Sequence, residues 1–205
     1  MLTMDELLAP LADHRTDEVV VTTMSAVRPW GLRSDHDLDF ASADSAMGHA
    51  ADLALGIALA RPERRVVCLN GDGSMLMSLG TLVTVVASGA TNLSLVIVEN
   101  GGYEITGNQP VPGAPRTDLA ALARAAGFAH AQRFDDAAAW RAAVPALLGG
   151  PGPSFATVAV HAGQEGPISR TEGEPARYLR SSLAEWSAAF RAALGEADPQ
   201  ASAGR

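Results

Sequence analysis

The stretch RVVCLNGDGS, residues 65–74, decides the fold. Within its first six residues, Val66–Leu69 form an apolar run led by two β-branched valines, with no alternation, as in a strand buried on both faces. Gly71-Asp72-Gly73 then turns the chain, and the leucine- and methionine-rich run after Ser74 predicts a helix to about residue 87. Upstream, GHAADLALGIALA (48–60) predicts a helix stopped near Pro62, and EVVVTT (18–23) another buried strand. Downstream, LSLVIVE (93–99) is a third strand, closed by Asn100-Gly101-Gly102. Helices are expected over 4–13, 117–126, 135–148 and 179–194, and strands over 129–134 and 154–161. Residues 24–46 and 107–116 are expected to be loops, and 196–205 a frayed tail after a single domain spanning 1–195. Strands that alternate with helices define an α/β fold, a doubly wound, mainly parallel sheet with helices on both faces. In such sheets ligands bind at the carboxyl ends of the strands. The polar, glycine-rich strand ends at 70–74 and 99–103 are therefore where chemistry is sought.

Composition narrows the partners. The chain has 205 residues, 47% hydrophobic and 19% charged, which suits a folded domain rather than a disordered one. All 15 basic residues are arginine, so lysine Schiff-base chemistry and a P-loop lysine are excluded. The net charge of −8, without a basic cluster, argues against nucleic acid. The single cysteine, Cys68, forms no internal disulfide and reads as a buried strand residue. No apolar run is long enough for a membrane span, and the first residues lack a signal-peptide pattern, so the expected location is cytoplasmic.

At the first strand end, flanking glycines let the backbone approach a ligand closely. The helix start behind them offers free N–H groups and a positive dipole end, an anion site that suits phosphate. Asp72 makes chemical sense beside a phosphate when a hard divalent cation such as Mg²⁺ bridges the two. Alone, GDGS is also a plain turn with an aspartate cap. Asn100 changes that reading. It lies 28 residues after Asp72, one helix and one strand later, so a parallel sheet sets it at the neighbouring strand end. An aspartate oxygen, an asparagine oxygen and a glycine carbonyl supply three oxygen ligands of an octahedral Mg²⁺ site, with phosphate oxygens and water completing it.

GDGS followed by EN-GG-Y resembles the thiamine-diphosphate signature of 2-oxo acid decarboxylases and their relatives, with Glu99 standing where many relatives have asparagine. Ser45-Ala46-Met47-Gly48-His49-Ala50 and the downstream Thr106–Pro110 stretch (TGNQP) are similar to the phosphonopyruvate and sulfopyruvate decarboxylase group, so the resemblance covers roughly residues 40–115. It implies thiamine diphosphate and Mg²⁺ as cofactors. Metal ligation falls on Asp72, Asn100 and the Gly102 carbonyl. Cofactor contacts fall on Ser45, Ala46, Met47, Gly48, Gly71, Asp72, Gly73, Ser74, Asn100, Gly102, Tyr103, Glu104 and Ile105. Met47 takes the place of the bulky residue that props the bent cofactor, and the Ser45 carbonyl that of the group receiving the pyrimidine amine. Catalytic participation is implied for Met47, His49, Tyr103 and Glu104, although a histidine at a helix start is equally a structural residue.

Arg28 and Arg33 are candidates for an anionic substrate group, and Asn108 and Gln109 for cofactor-loop or substrate contacts. His14, His36, His130 and His161 show no metal spacing. The resemblance also implies a glutamate on a separate pyrimidine-binding domain, and about 40 residues precede the Met47 segment. The expectation is therefore the diphosphate-binding, beta-type subunit of a 2-oxo acid decarboxylase, in a hetero-oligomer with a pyrimidine-binding, alpha-type subunit. A carboligase subunit and a non-catalytic cofactor-binding or regulatory subunit are the alternatives.

Overall fold

In the computed structural model, which describes residues 1–41 and 47–195, six strands form one parallel sheet. In chain order the strands are β1 (Val19–Thr22), β2 (Asp39–Ala41), β3 (Val66–Gly71), β4 (Leu93–Glu99), β5 (Gly102–Tyr103), β6 (Gln109–Pro110), β7 (His130–Phe134) and β8 (Ser154–Ala159). The large sheet runs β2-β1-β3-β4-β8-β7, while β5 and β6 make a small antiparallel hairpin outside it. The helices are α1 (Met4–His14), α2 (Val27–Gly31), α3 (Ala50–Ala60), α4 (Asp72–Met77), α5 (Gly80–Ser88), α6 (Leu119–Ala126), α7 (Ala137–Gly149) and α8 (Leu183–Leu194).

The uninterrupted apolar runs are what a sheet covered on both faces requires. β1 and β8 are buried throughout and β4 up to its last residue. The helices pack as two groups, α1 with α2 and α7, and α3 with α5 and α6. Their starts are fixed by side chains read directly from the sequence: Thr3 and Glu6 form a capping box on α1, and Asp118 and Asp136 cap α6 and α7. The chain passes from β1 to β2 on one side and to β3 on the other, so the strand order reverses between β1 and β3. A crevice opens at such a reversal.

The structure departs from the sequence reading in four places. Residues 24–41 are not a loop: they hold a 3-10 turn (Met24–Ala26), α2 and β2. Nothing local specifies β2. Asp39 is buried where Arg15, Ser34 and Trp30 donate to its carboxylate, and its strand pairs with β1. The helix expected over 74–87 breaks between α4 and α5, where Ser78 turns to donate to the Gly48 carbonyl. The 107–116 stretch holds β6 and a 3-10 turn (Ala114–Arg116). The last helix starts at Leu183, where Ser182 and Glu185 form a second capping box. The expected tail, 196–205, lies outside the described residues, as do Ser45 and Ala46. Among the described residues no helix is long and apolar enough to cross a membrane.

Candidate functional site

β1, β3 and β4 end side by side, and a cleft opens over their carboxyl ends. It is lined by Met24, Ser25, Met47, Gly71, Asp72, Gly73, Ser74, Asn100, Gly102, Tyr103, Glu104, Ile105 and Thr106. Gly71 pairs with Val98 in the β3–β4 ladder, so the two strands leave the sheet in step and bring Asp72 and Asn100 together.

Asp72 is 4% exposed. One carboxylate oxygen accepts the Gly73 N–H at 2.7 Å and the other the Gly101 N–H at 2.8 Å, which ties the two strand ends together. Burial raises the carboxyl above its usual range, these backbone bonds oppose the rise, and Glu99 adds to it. Among the described residues Asp72 has no arginine partner, so a buried carboxylate is left with backbone dipoles alone. A cation is what this environment lacks. Glu99 itself lies off the cleft lining, its carboxylate paired with Arg133 at 2.9 Å.

Asn100 folds back on its own turn. Its Oδ1 accepts the Gly102 N–H at 3.1 Å and its amide N–H donates to Glu104 at 3.0 Å. In the β5–β6 hairpin the carbonyls of Gly101 and Tyr103 accept from Val111 and Asn108. Gly102, between them, occupies a non-hydrogen-bonded position opposite Pro110, so its carbonyl is outside the ladder. One carboxylate, one amide oxygen and one free carbonyl fit a hard oxygen-seeking cation such as Mg²⁺. Among the described residues no group of three His, Cys, Asp or Glu could hold a metal, which sets this site apart from a histidine or thiolate centre.

α4 starts at Asp72 without a side-chain cap, and its first turn opens on the cleft. Gly73 has to be glycine here, because a Cβ would run into the Tyr103 ring and Val111. Ser74 Oγ accepts the Gly48 N–H at 2.9 Å, and Ser78 donates to the Gly48 carbonyl. The two serines clamp the corner that carries Met47, and Gly48 makes it with φ +88, a left-handed conformation suited to glycine. Ser74 accepts in this bond, so its own O–H remains able to donate to a bound anion.

Of the residues singled out in the sequence, the cleft gathers Met47, Gly71, Asp72, Gly73, Ser74, Asn100, Gly102, Tyr103, Glu104 and Ile105. It does not gather His49. The turn at Gly48 sends that ring outward, where it is 72% exposed and meets Asp52 at 3.2 Å. Gly48 itself is buried behind Ser74 and off the lining. Arg28 and Arg33 are also engaged elsewhere. Arg28 holds Glu174 through two hydrogen bonds of 2.8 Å, lowering that carboxyl to about 2, and Arg33 pairs with Asp5. Asn108 and Gln109 are exposed on the hairpin turn. Cys68 is buried in β3, and burial raises its thiol.

Met24, Ser25 and Thr106 line the cleft without having been anticipated as site residues. Met24 and Ser25 directly follow the EVVVTT stretch, one residue beyond the end of β1, so the strand-end rule applied to it would have found them. Met24 has φ +50, uncommon for a residue with a side chain.

A parallel sheet with an oxygen-lined crevice at its switch point defines a cofactor-binding α/β domain, and the comparisons identify which one. Residues 22–158 match the family described as thiamine pyrophosphate enzyme, C-terminal TPP binding domain, and the chain belongs to that family. It is 34% identical over 177 residues to a phosphonopyruvate decarboxylase of Streptomyces viridochromogenes, covering 86% of this chain and 43% of the relative. It is 44% identical over 117 residues to the sulfopyruvate decarboxylase subunit beta of Methanothermobacter thermautotrophicus, covering 57% and 60%. The chain thus spans about half the length of the curated relatives it matches. In fold it is similar to the benzoylformate decarboxylase of Polynucleobacter necessarius, with a TM-score of 0.65 at 21% identity over 80% of this chain and 34% of that one.

Proposed function

We propose that this chain is the diphosphate-binding subunit of a thiamine-diphosphate- and Mg²⁺-dependent 2-oxo acid decarboxylase, completed by a separate pyrimidine-binding subunit. The observation that carries the reading is the buried Asp72 carboxylate, without an arginine partner among the described residues and held against Gly101, with Asn100 and the Gly102 carbonyl beside it. Asp72, Asn100 and the Gly102 carbonyl hold Mg²⁺. The first turn of α4 and the Ser74 hydroxyl hold the diphosphate. Met47 supports the cofactor from its clamped corner, and Tyr103 and Ile105 wall the cleft. When bound, thiamine diphosphate supplies the carbon nucleophile and electron sink that decarboxylation of a 2-oxo acid needs. This chain anchors and orients that group and excludes water from one side of it.

The substrate class and the second subunit are read from relatives named for sulfopyruvate and phosphonopyruvate, three of them as a subunit beta. Among the described residues no basic side chain lines the cleft. The counter-charge for a sulfonate or phosphonate is therefore assigned to the partner subunit.

The test is calorimetric titration of the assembled enzyme with Mg²⁺ and thiamine diphosphate. Asp72→Ala is expected to abolish binding, because the diphosphate then loses its cationic bridge, and Asn100→Ala to weaken it less, because a neutral ligand is lost. Unchanged affinity in Asp72→Ala would remove the site assignment.

A further inference from the structure

Glu104 lines the cleft, yet its two oxygens are both engaged in holding other groups. It is 6% exposed, in the first turn of a 3-10 helix (Glu104–Thr106). One oxygen accepts the Asn100 amide N–H at 3.0 Å. The other accepts the backbone N–H of Glu165 at 2.8 Å. An ionised carboxylate only accepts hydrogen bonds. The Asn100 side chain can therefore turn only its NH₂ to Glu104, which leaves its oxygen on the Gly102 N–H and the cleft side. An unrestrained asparagine amide would present nitrogen as readily as oxygen, and nitrogen carrying two hydrogens cannot ligate a hard cation.

The far side of Glu104 is also built for contact. Gly163 approaches the carboxylate so closely that a Cβ there would run into it. Arg28 holds the same segment from its other end, donating to the carbonyls of Gly166 and Pro167 and to Glu174. The 163–167 segment is thus pinned between Arg28 and Glu104.

We infer that Glu104 is a positioning residue: it fixes the Asn100 amide with its oxygen toward the Mg²⁺ site and couples that orientation to the docked 163–167 segment. This rests on the site assigned under the proposed function. Partners that orient a metal ligand typically change metal affinity about 10- to 100-fold when removed.

The hydrogen-bond polarity gives a test that a merely structural contact would fail. Glu104→Gln offers one acceptor to two donors, so Mg²⁺ affinity in the presence of thiamine diphosphate, measured by calorimetry on the full chain, is expected to fall about 10- to 100-fold. Asn100→Asp alone sets two carboxylates against each other and is expected to unfold at lower temperature than wild type. Combining Asn100→Asp with Glu104→Gln reverses the bond. The introduced glutamine then donates to the introduced aspartate and still accepts from Glu165. The aspartate in turn keeps one oxygen on the Gly102 N–H and the cleft side, as the asparagine does, while its other oxygen accepts from the glutamine. Binding and melting temperature are both expected to return to within about threefold and a few degrees of wild type. Should Glu104→Gln bind as wild type does, or the reversed pair bind no better than either single variant, the positioning role is overturned. Asp72→Ala run alongside separates the two readings: its loss of binding with an unaffected Glu104→Gln overturns the Glu104 inference alone, whereas its normal binding overturns the site and this inference with it.

Discussion

Removing one oxygen atom, in Ser74→Ala, tests both halves of the site at once. Ser74 is 3% exposed and its Oγ is the acceptor for the Gly48 N–H at 2.9 Å. Gly48 is buried as well, so the alanine variant leaves an N–H that water cannot reach. An unsatisfied buried donor costs about 1–3 kcal/mol. For a chain of this size each kcal/mol moves the melting temperature about 2–4 °C, so a loss of about 2 kcal/mol lowers it by about 4–8 °C. That loss is read in protein free of cofactor, where only the clamp on the Met47 corner is at stake. With thiamine diphosphate and Mg²⁺ added, the proposed function expects a second loss, because the alanine has no hydroxyl to donate to the diphosphate. A hydrogen bond to a charged group contributes about 1.5–3 kcal/mol, or a roughly 10- to 150-fold weaker Kd. Ser74→Thr keeps the hydroxyl and is expected to retain most of the affinity. Thermal unfolding followed by circular dichroism measures the first effect and calorimetric titration the second. A Ser74→Ala protein that melts within about 1 °C of wild type would refute the clamp.

Two further predictions concern the cleft wall and the segment behind it. Met47→Ala should lower turnover of a 2-oxo acid by the assembled enzyme more than it weakens cofactor affinity, since the diphosphate anchor is untouched, while leucine of similar volume is tolerated; loss of folded protein with normal specific activity would instead make Met47 a packing residue. Glu174, held by Arg28 with its carboxyl lowered from 4.5 to about 2, contributes stability that is present above pH 4.5 and lost as pH falls through about 2. Glu174→Gln should therefore destabilise the protein at pH 7, with the difference from wild type shrinking below pH 4.5, and a difference that stays constant from pH 7 to pH 3 in urea unfolding would contradict the pairing.

Much of the framework was legible because local composition and global fold agree. EVVVTT, RVVCLN and LSLVIVE are apolar without alternation, a pattern that only a sheet covered on both faces accommodates, and all three are central strands. The GDGS turn and Asn100 could be set side by side because parallel strands need a crossover between them, and the helical stretch from 72 to 88 supplies it. Most of the cleft follows from that one juxtaposition.

What the sequence left open depended on partners far along the chain. β2 is three residues long, too short for any period, and exists because Asp39 meets Arg15 and its strand pairs with β1. The break between α4 and α5 comes from Ser78 reaching back to Gly48. Which of Met47 and His49 faces the cleft turns on the backbone at Gly48, whose φ of +88 sends the neighbouring side chains to different sides. Glycine permits that conformation without requiring it. Arg28 looked free to meet a substrate anion until a glutamate 146 residues away, Glu174, took its guanidinium. Glu104 read as a pocket residue until Asn100 and Glu165 took its two oxygens. Periodicity and turn chemistry act over a few residues, so the order of amino acids is enough to locate the strands, their ends and the oxygen-bearing side chains at those ends. The direction a side chain faces and the groups that satisfy it are set by contacts between distant segments, which exist only once the chain has folded.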